Sequence, residues 1–204
     1  MNKKLSFDKL IGKKTLILGE IGSGKSRLLA ELIGQCILRG LSEETTILDF
    51  APQTITINNW EVGGKISNLV ALPANLNYIS PDGIEYPRLK AESAEEMISI
   101  SKRNASLIEE ALNDFIRKPT KNVFINEVSL FFHFGSIDRV EEALKKAETA
   151  ALTSYYGFML EDDLGTGLCR REKMVVEALI EDMDITVYLP PPRGIFEDYV
   201  PFQS

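Results

Sequence analysis

Apolar residues along this chain fall into two spacings that take turns. "KTLIL" (14–18) is a short continuous apolar run, the mark of a strand buried on both faces. From Lys25 to Arg39, Leu28, Leu29, Leu32, Ile33, Cys36 and Ile37 recur at helical spacing, and Gly40 supplies a stop. "TTILDF" (45–50) reads as a second strand. A long helix follows from Ala94 to Arg117, opened by Ser93 and Glu96 as a capping box. "NVFIN" (122–126) is a third core strand, 137–148 an amphipathic helix and "TAALTS" (149–154) a fourth strand. Residues 171–183 are helical and 184–190 form a fifth strand, which ends at Pro190, Pro191 and Pro192. Strand and helix in alternation predict an α/β fold of three layers, a mainly parallel sheet flanked by helices.

Two stretches break the alternation. Residues 51–91 hold short strand-like pieces interrupted by Gly63-Gly64, Pro73, Pro81 and Pro87. They read as a β insertion, either an added hairpin or an extension of the sheet edge. Residues 155–172 are glycine-rich, acidic and aromatic, and end in Arg170-Arg171. A loop of that length is usually functional or disordered. The tail, 193–204, reads as an extended strap. With 204 residues the chain, 1–204, is expected to form one well-buried α/β domain.

Composition removes several classes of function. Hydrophobic residues make up 44% and charged residues 26%, the balance of a globular protein. No apolar run approaches the ~20 residues a membrane helix needs, and the N-terminal stretch lacks a signal-peptide core. Cys36 and Cys169 make no disulfide framework, which fits a reducing, cytoplasmic setting. The lone histidine, His133, makes a zinc site improbable. Net charge is −7, and lysines and arginines come singly or in pairs. That dispersal speaks against a nucleic-acid partner, although a homo-oligomeric ring could still gather a basic channel.

The chemistry lies in Gly19-Glu20-Ile21-Gly22-Ser23-Gly24-Lys25-Ser26, which fits G-x-x-x-x-G-K-[ST] at every position. Glycines let the backbone wrap an anion with its N–H groups turned inward. The helix that starts near Lys25 adds unpaired N–H groups and a positive dipole end, and Arg27 follows in its first turn. Lys25 can neutralise outer phosphates, and the Ser26 hydroxyl can hold magnesium. A buried strand before the loop and an amphipathic helix after it supply the setting the motif requires.

At these residues the chain resembles the P-loop NTPases. Within them it looks like the branch that carries an added strand between the phosphate-loop strand and the metal-site strand. The resemblance implies ATP or GTP with Mg²⁺ as ligands and cleavage of the β–γ phosphoanhydride bond. In that branch the metal-site strand ends in an acidic pair, and the matching stretch here is "VFINEVS". Glu127 falls on the water-orienting position, while Asn126 stands where the metal-site Asp is expected. Thr153 and Ser154 match the place of a polar residue that senses the terminal phosphate. Asp49, in "LDFAPQ", resembles the second-strand Asp of the partition- and nitrogenase-type ATPases and is a second metal-site candidate. Arg170 and Arg171 could stabilise charge on the transferring phosphate if 155–172 acts as a lid. Two other functions stay open beside hydrolysis. One is transfer to a small-molecule acceptor, as a kinase or by a loose topological similarity to cob(I)alamin adenosyltransferases. The other is a low-turnover switch or assembly subunit, which Asn126 favours.

Overall fold

The structure is a computed structural model and describes residues 5–57 and 60–192. The proposed strap at 193–204 lies outside the described residues. The main sheet has six strands: β1 (Lys14–Gly19), β2 (Thr45–Asp49), β5 (Asn77–Ile79), β6 (Asn122–Asn126), β7 (Thr149–Tyr155) and β8 (Ile185–Tyr188). Their order is β5-β2-β6-β7-β1-β8, and every neighbouring pair is parallel. A parallel sheet needs both faces covered, and helices α1 (Phe7–Leu10), α2 (Lys25–Leu38), α4 (Ala94–Arg117), α5 (Ile137–Lys146) and α6 (Leu168–Glu181) cover them.

Strand side chains alternate between two cores with the period of the pleat. Leu16, Leu18, Val123, Ile125 and Leu152 face α4, α5 and α6, joining Ile108, Leu112, Phe115, Val140 and Val176. Ile17, Ile47, Phe124 and Ala151 face the other way, onto α1 and α2, where Phe7, Leu29, Leu32, Ile33 and Cys36 lie. Three layers follow directly from that alternation.

The irregular region resolves into both forms its sequence suggested. β3 (Ile55–Ile57) and β4 (Trp60–Val62) pair as an antiparallel hairpin, and β5 extends the sheet edge beside β2. "NLVAL" is not a strand; a single 3-10 turn occupies Ile66–Asn68 instead. The short α3 (Pro87–Lys90), opened by a proline at its first turn, links β5 to α4. In α4 the predicted cap is present, with the Glu96 N–H donating to Ser93 Oγ at 3.1 Å. Sequence periodicity did not show α1 or the 3-10 segment Val128–His133, whose six residues are all buried. Among the described residues no helix is long and apolar enough to cross a membrane.

Phe124 sits at the centre of the α1–α2 side, with its ring centroid 6.1 Å from that of Phe7. Phe124→Ala should therefore cost about 3–5 kcal/mol, the range for truncating a buried phenylalanine. Urea unfolding followed by circular dichroism measures it.

Candidate functional site

The carboxyl ends of β1, β6 and β7 meet the start of α2 around a cleft of about 680 Å³. Residues Ile21 to Arg27 form one wall, and Glu127, Ser129, Tyr155, Arg88 and the insertion's Thr54, Gly63, Gly64, Asn68 and Leu69 form others. That volume lies within the range of small-molecule sites.

The glycines are dictated by the path of the loop. Gly22 (φ +71°) and Gly24 (φ +91°) take left-handed backbone, and Gly24 opens α2. A Cβ on Gly19 would come within 2.6 Å of Ser23 Oγ, so the loop closes on itself there. Lys25 is buried, and its ammonium donates to the carbonyls of Gly19 at 3.0 Å and Glu20 at 2.8 Å. It also lies 5.9 Å from the centroid of the Tyr155 ring. Burial pulls this ammonium below the ordinary lysine range, while the carboxylates of Glu127, Glu20 and Glu172 act in the opposite sense. Ser23 Oγ lines the same cleft and is buried with no hydrogen-bond partner. An orphaned hydroxyl and a lysine folded onto main-chain carbonyls fit a cradle whose anion is phosphate.

Glu20 points elsewhere. Its carboxylate accepts from the N–H groups of Phe158 and Met159, and a Cβ on Gly157 would collide with it at 2.1 Å. The residue is part of the loop but not of the cleft lining; it ties the loop to the chain that follows β7.

The metal-site candidates form a single hydrogen-bonded unit. Asp49 and Asn126 are directly opposite in the β2–β6 register. The Asn126 amide donates to Asp49 Oδ1 at 2.9 Å and to the Gly64 carbonyl at 3.2 Å. Its oxygen accepts from Ser26 Oγ at 2.9 Å and from Thr153 Oγ1 at 3.0 Å. Asp49 is fully buried and also accepts from Ile66 N at 2.6 Å and Tyr78 OH at 2.7 Å. The two alternatives read from the sequence are therefore partners: Asp49 stands behind Asn126, neither lines the cleft, and each is engaged by protein groups. Ser26 Oγ does reach the cleft. Since it gives its proton to Asn126, its lone pairs are left for a cation. Among the described residues no group of three or more His, Cys, Asp or Glu side chains could hold a metal alone. Magnesium fits here with Ser26 as a protein ligand and phosphate and water oxygens completing its shell.

Glu127 is brought to the cleft by an uncommon backbone. It has φ +62° and ψ +54°, left-handed for a residue with a side chain. Its Oε1 accepts from Ser129 Oγ at 2.9 Å and Tyr155 N at 3.1 Å. Thr153 Oγ1 accepts from Glu127 N at 2.8 Å while donating to Asn126, so Thr153 aligns both residues of the pair. Ser154 turns back to the Tyr155 carbonyl and takes no part.

Arg170 and Arg171 are not brought to the phosphate loop. The helix begins three residues earlier than its apolar periodicity indicated, because Gly167 (φ +77°) opens it and Asp163 Oδ2 accepts from Cys169 N at 3.0 Å. Arg170 is exposed and faces a second cleft of about 370 Å³. Arg171 donates to the carbonyls of Phe132 and Gly135, each at 3.0 Å. The intervening loop is anchored at Glu20 and at Tyr155 OH, which accepts from Leu160 N at 2.9 Å. Two arginines do line the phosphate cleft: the expected Arg27, exposed in the first turn of α2, and Arg88, buried inside the insertion, where no sequence motif marks it. Pro87, one residue before it, is the signal that marks a helix start there.

No family model matches the chain, and no curated protein matches it in sequence. Solved structures that resemble it include the flagellar accessory protein FlaH from Methanocaldococcus jannaschii. That match has a TM-score of 0.46 and 15% identity and covers 87% of this chain and 71% of the other. The Pif1 helicase from Candida albicans matches with a TM-score of 0.34 and 14% identity, over 87% of this chain and 36% of the helicase. At these scores neither likeness fixes a family or a function; those rest on the residues of the site.

The Asp49–Asn126 pair generates a prediction. Asn126→Asp replaces a donor 2.9 Å from a buried carboxylate with a second carboxylate. The change should lose about 2 kcal/mol or more. The reversed pair, Asp49→Asn with Asn126→Asp, restores a donor and an acceptor between the two positions. It should recover at least half of the loss in thermal or urea unfolding. A single Asn126→Asp protein as stable as the parent would show that the two side chains are not coupled.

Proposed function

We propose that this protein is a P-loop NTPase that binds ATP (or GTP) with Mg²⁺ and hydrolyses the β–γ phosphoanhydride bond. The observation that carries the reading is the convergence on one cleft of the Gly19–Ser26 loop, Lys25 and Glu127. Sheet order supports it, because β7 stands between β1, which leads into the loop, and β6, which leads into Glu127.

Main-chain N–H groups of the loop and the first turn of α2 hold the phosphates. Lys25 leaves the carbonyls of Gly19 and Glu20 and turns its ammonium to the outer phosphate oxygens. Ser26 Oγ, held by Asn126, offers its lone pairs to the magnesium that accompanies the nucleotide. That ion supplies charge neutralisation at the phosphates. Glu127 orients a water in line with the terminal phosphorus and takes its proton as the new P–O bond forms. The bond to the bridging oxygen breaks, and the diphosphate leaves with the electron pair.

A second reading, binding with little turnover, is favoured by one observation. Asn126 uses both amide hydrogens and accepts twice at its oxygen, and it gives the metal site no negative charge. Phosphate release under steady-state conditions, set against nucleotide binding, separates the two readings.

Lys25→Ala should sharply reduce the rise in melting temperature that Mg-ATP produces, since a ligand bound only by the folded state stabilises it by mass action. An unchanged shift in a folded Lys25→Ala protein places the nucleotide elsewhere. Glu127→Gln keeps an oxygen for Ser129 and Tyr155 but cannot accept a proton. It should retain nucleotide affinity and lower turnover about a hundredfold or more.

A further inference from the structure

Arg88 is a buried cationic side chain of the phosphate cleft that the hydrolysis reading leaves without a task. It comes from α3, in the inserted region, and its side chain is only 5% exposed. Nη1 donates to Glu172 Oε2 at 2.7 Å and Nη2 to Glu172 Oε1 at 3.2 Å, so the guanidinium is held as a fork. Nη1 also reaches the Leu160 carbonyl at 3.3 Å and Cys169 Sγ at 3.5 Å. The guanidinium carbon lies 5.0 Å from the centroid of the Tyr155 ring. That same ring has Lys25 Nζ beside it, and Tyr155 is paired in register with Gly19, the first glycine of the loop. Both cations therefore lie within 6 Å of the centroid of one aromatic ring. Among the described residues nothing engages the Nε–H of Arg88 or the second Nη2 hydrogen.

A buried Arg–carboxylate pair is a poor way to gain stability, because apolar residues of the same volume usually do as well or better. A guanidinium fixed by a carboxylate on one edge, with donors left on the other, is suited to an oxyanion with several oxygens. Arg88 lines the same cleft as Glu127 and Ser129. Loop amides already account for the inner phosphates, and Lys25 shares the outer oxygens. The position open to Arg88 is the outermost one.

We propose that Arg88 contacts the terminal phosphate of the bound nucleotide and so distinguishes a triphosphate from a diphosphate. Glu172 is its positioning residue, holding the fork from α6. The inference rests on the phosphate-cleft reading above, and its test keeps the two apart. Binding of ADP and of the non-hydrolysable analogue adenylyl imidodiphosphate, both with Mg²⁺, is measured for the parent, Arg88→Lys, Arg88→Met and Lys25→Ala. Arg88→Lys keeps a charge for Glu172 and Arg88→Met keeps the stem volume, so at least one variant retains the fold. Both should bind the triphosphate analogue about tenfold or more weakly, the worth of one charge-assisted contact. Their ADP affinity should change less than about threefold. A purely structural ion pair would weaken both ligands alike, or lower the melting temperature and leave both affinities as they were. Either result overturns the assignment of Arg88, even where Lys25→Ala abolishes binding. Unaltered binding of both ligands by Lys25→Ala would remove the phosphate-cleft reading, and the role of Arg88 with it.

Discussion

Four elements of this protein meet at the side chain of Asn126. Its oxygen accepts from Ser26 at the start of α2 and from Thr153 in β7, and its amide donates to Asp49 in β2 and to Gly64 in the insertion. The bonds to Asp49, Gly64 and Thr153 are buried and that to Ser26 partly so; an unmet buried hydrogen bond costs about 1–3 kcal/mol, so the register of the phosphate loop against the sheet is tightly specified. Asn is the side chain that can do this. It presents donor and acceptor in one plane, whereas an Asp at this position could accept from Ser26 and Thr153 but would face the Asp49 carboxylate with nothing to donate. The substitution that looked like a lost metal ligand is thus accounted for by its neighbour, which holds the acid one strand farther along.

This placement makes the charge distribution of the site unusual in a way that bears on turnover. Negative charge in the cleft lining comes from Glu127, while Asp49 lies behind the Asn126 amide and reaches the cleft through its field at Tyr86. Lys25, drawn down by burial, is held by main-chain carbonyls and by the field of three carboxylates. Around them the phenols of Tyr86 and Tyr155 are both pushed well above the ordinary tyrosine range, by burial first and nearby carboxylates after it. They line the cleft as neutral donors at any physiological pH. A polyphosphate bound as proposed would meet fixed N–H groups, the cations Lys25, Arg27 and Arg88, neutral hydroxyls and the Glu127 carboxylate.

Local physics made much of this legible in sequence. The phosphate loop could be read because its constraint is local: glycine where φ is positive, a strand before and a helix after. Strands β1, β6 and β7 and helix α4 could be read because a fully buried strand and a 24-residue amphipathic helix leave strong periodic signals. What stayed hidden depends on contacts between distant segments. No spacing in sequence announces that Asp49 lies opposite Asn126, or that Arg88 pairs with Glu172 on α6. The 3-10 segment 128–133 is buried at every position, Ser129 and His133 included, so it has no solvent-facing stripe to detect. The start of α6 was misplaced for a different reason: Gly167 and the Asp163 side chain set it, whereas the apolar stripe begins later.

The hidden contacts also show how the ends of the site are joined. Glu20 is a phosphate-loop residue, yet its carboxylate is held by the N–H groups of Phe158 and Met159, and Leu160 of the same segment accepts from Arg88. Glu20 Oε2 is buried without a partner, a costly arrangement unless something nearby compensates it. Lys25 bonds the Glu20 main-chain carbonyl, and its charge is the natural compensation while no phosphate is present. Were Lys25 to turn to a phosphate, as proposed, the Glu20 peptide would lose that hydrogen bond and the buried carboxylate a nearby cation. Under the proposed function, the strand-end segment pinned by Glu20 would feel occupancy of the cradle through Lys25. Arg88, bonded to the far side of the same segment, lies at its other end. The phosphate loop, the segment after β7 and the inserted α3 are in this way one mechanical unit, joined through Glu20, Leu160 and Arg88.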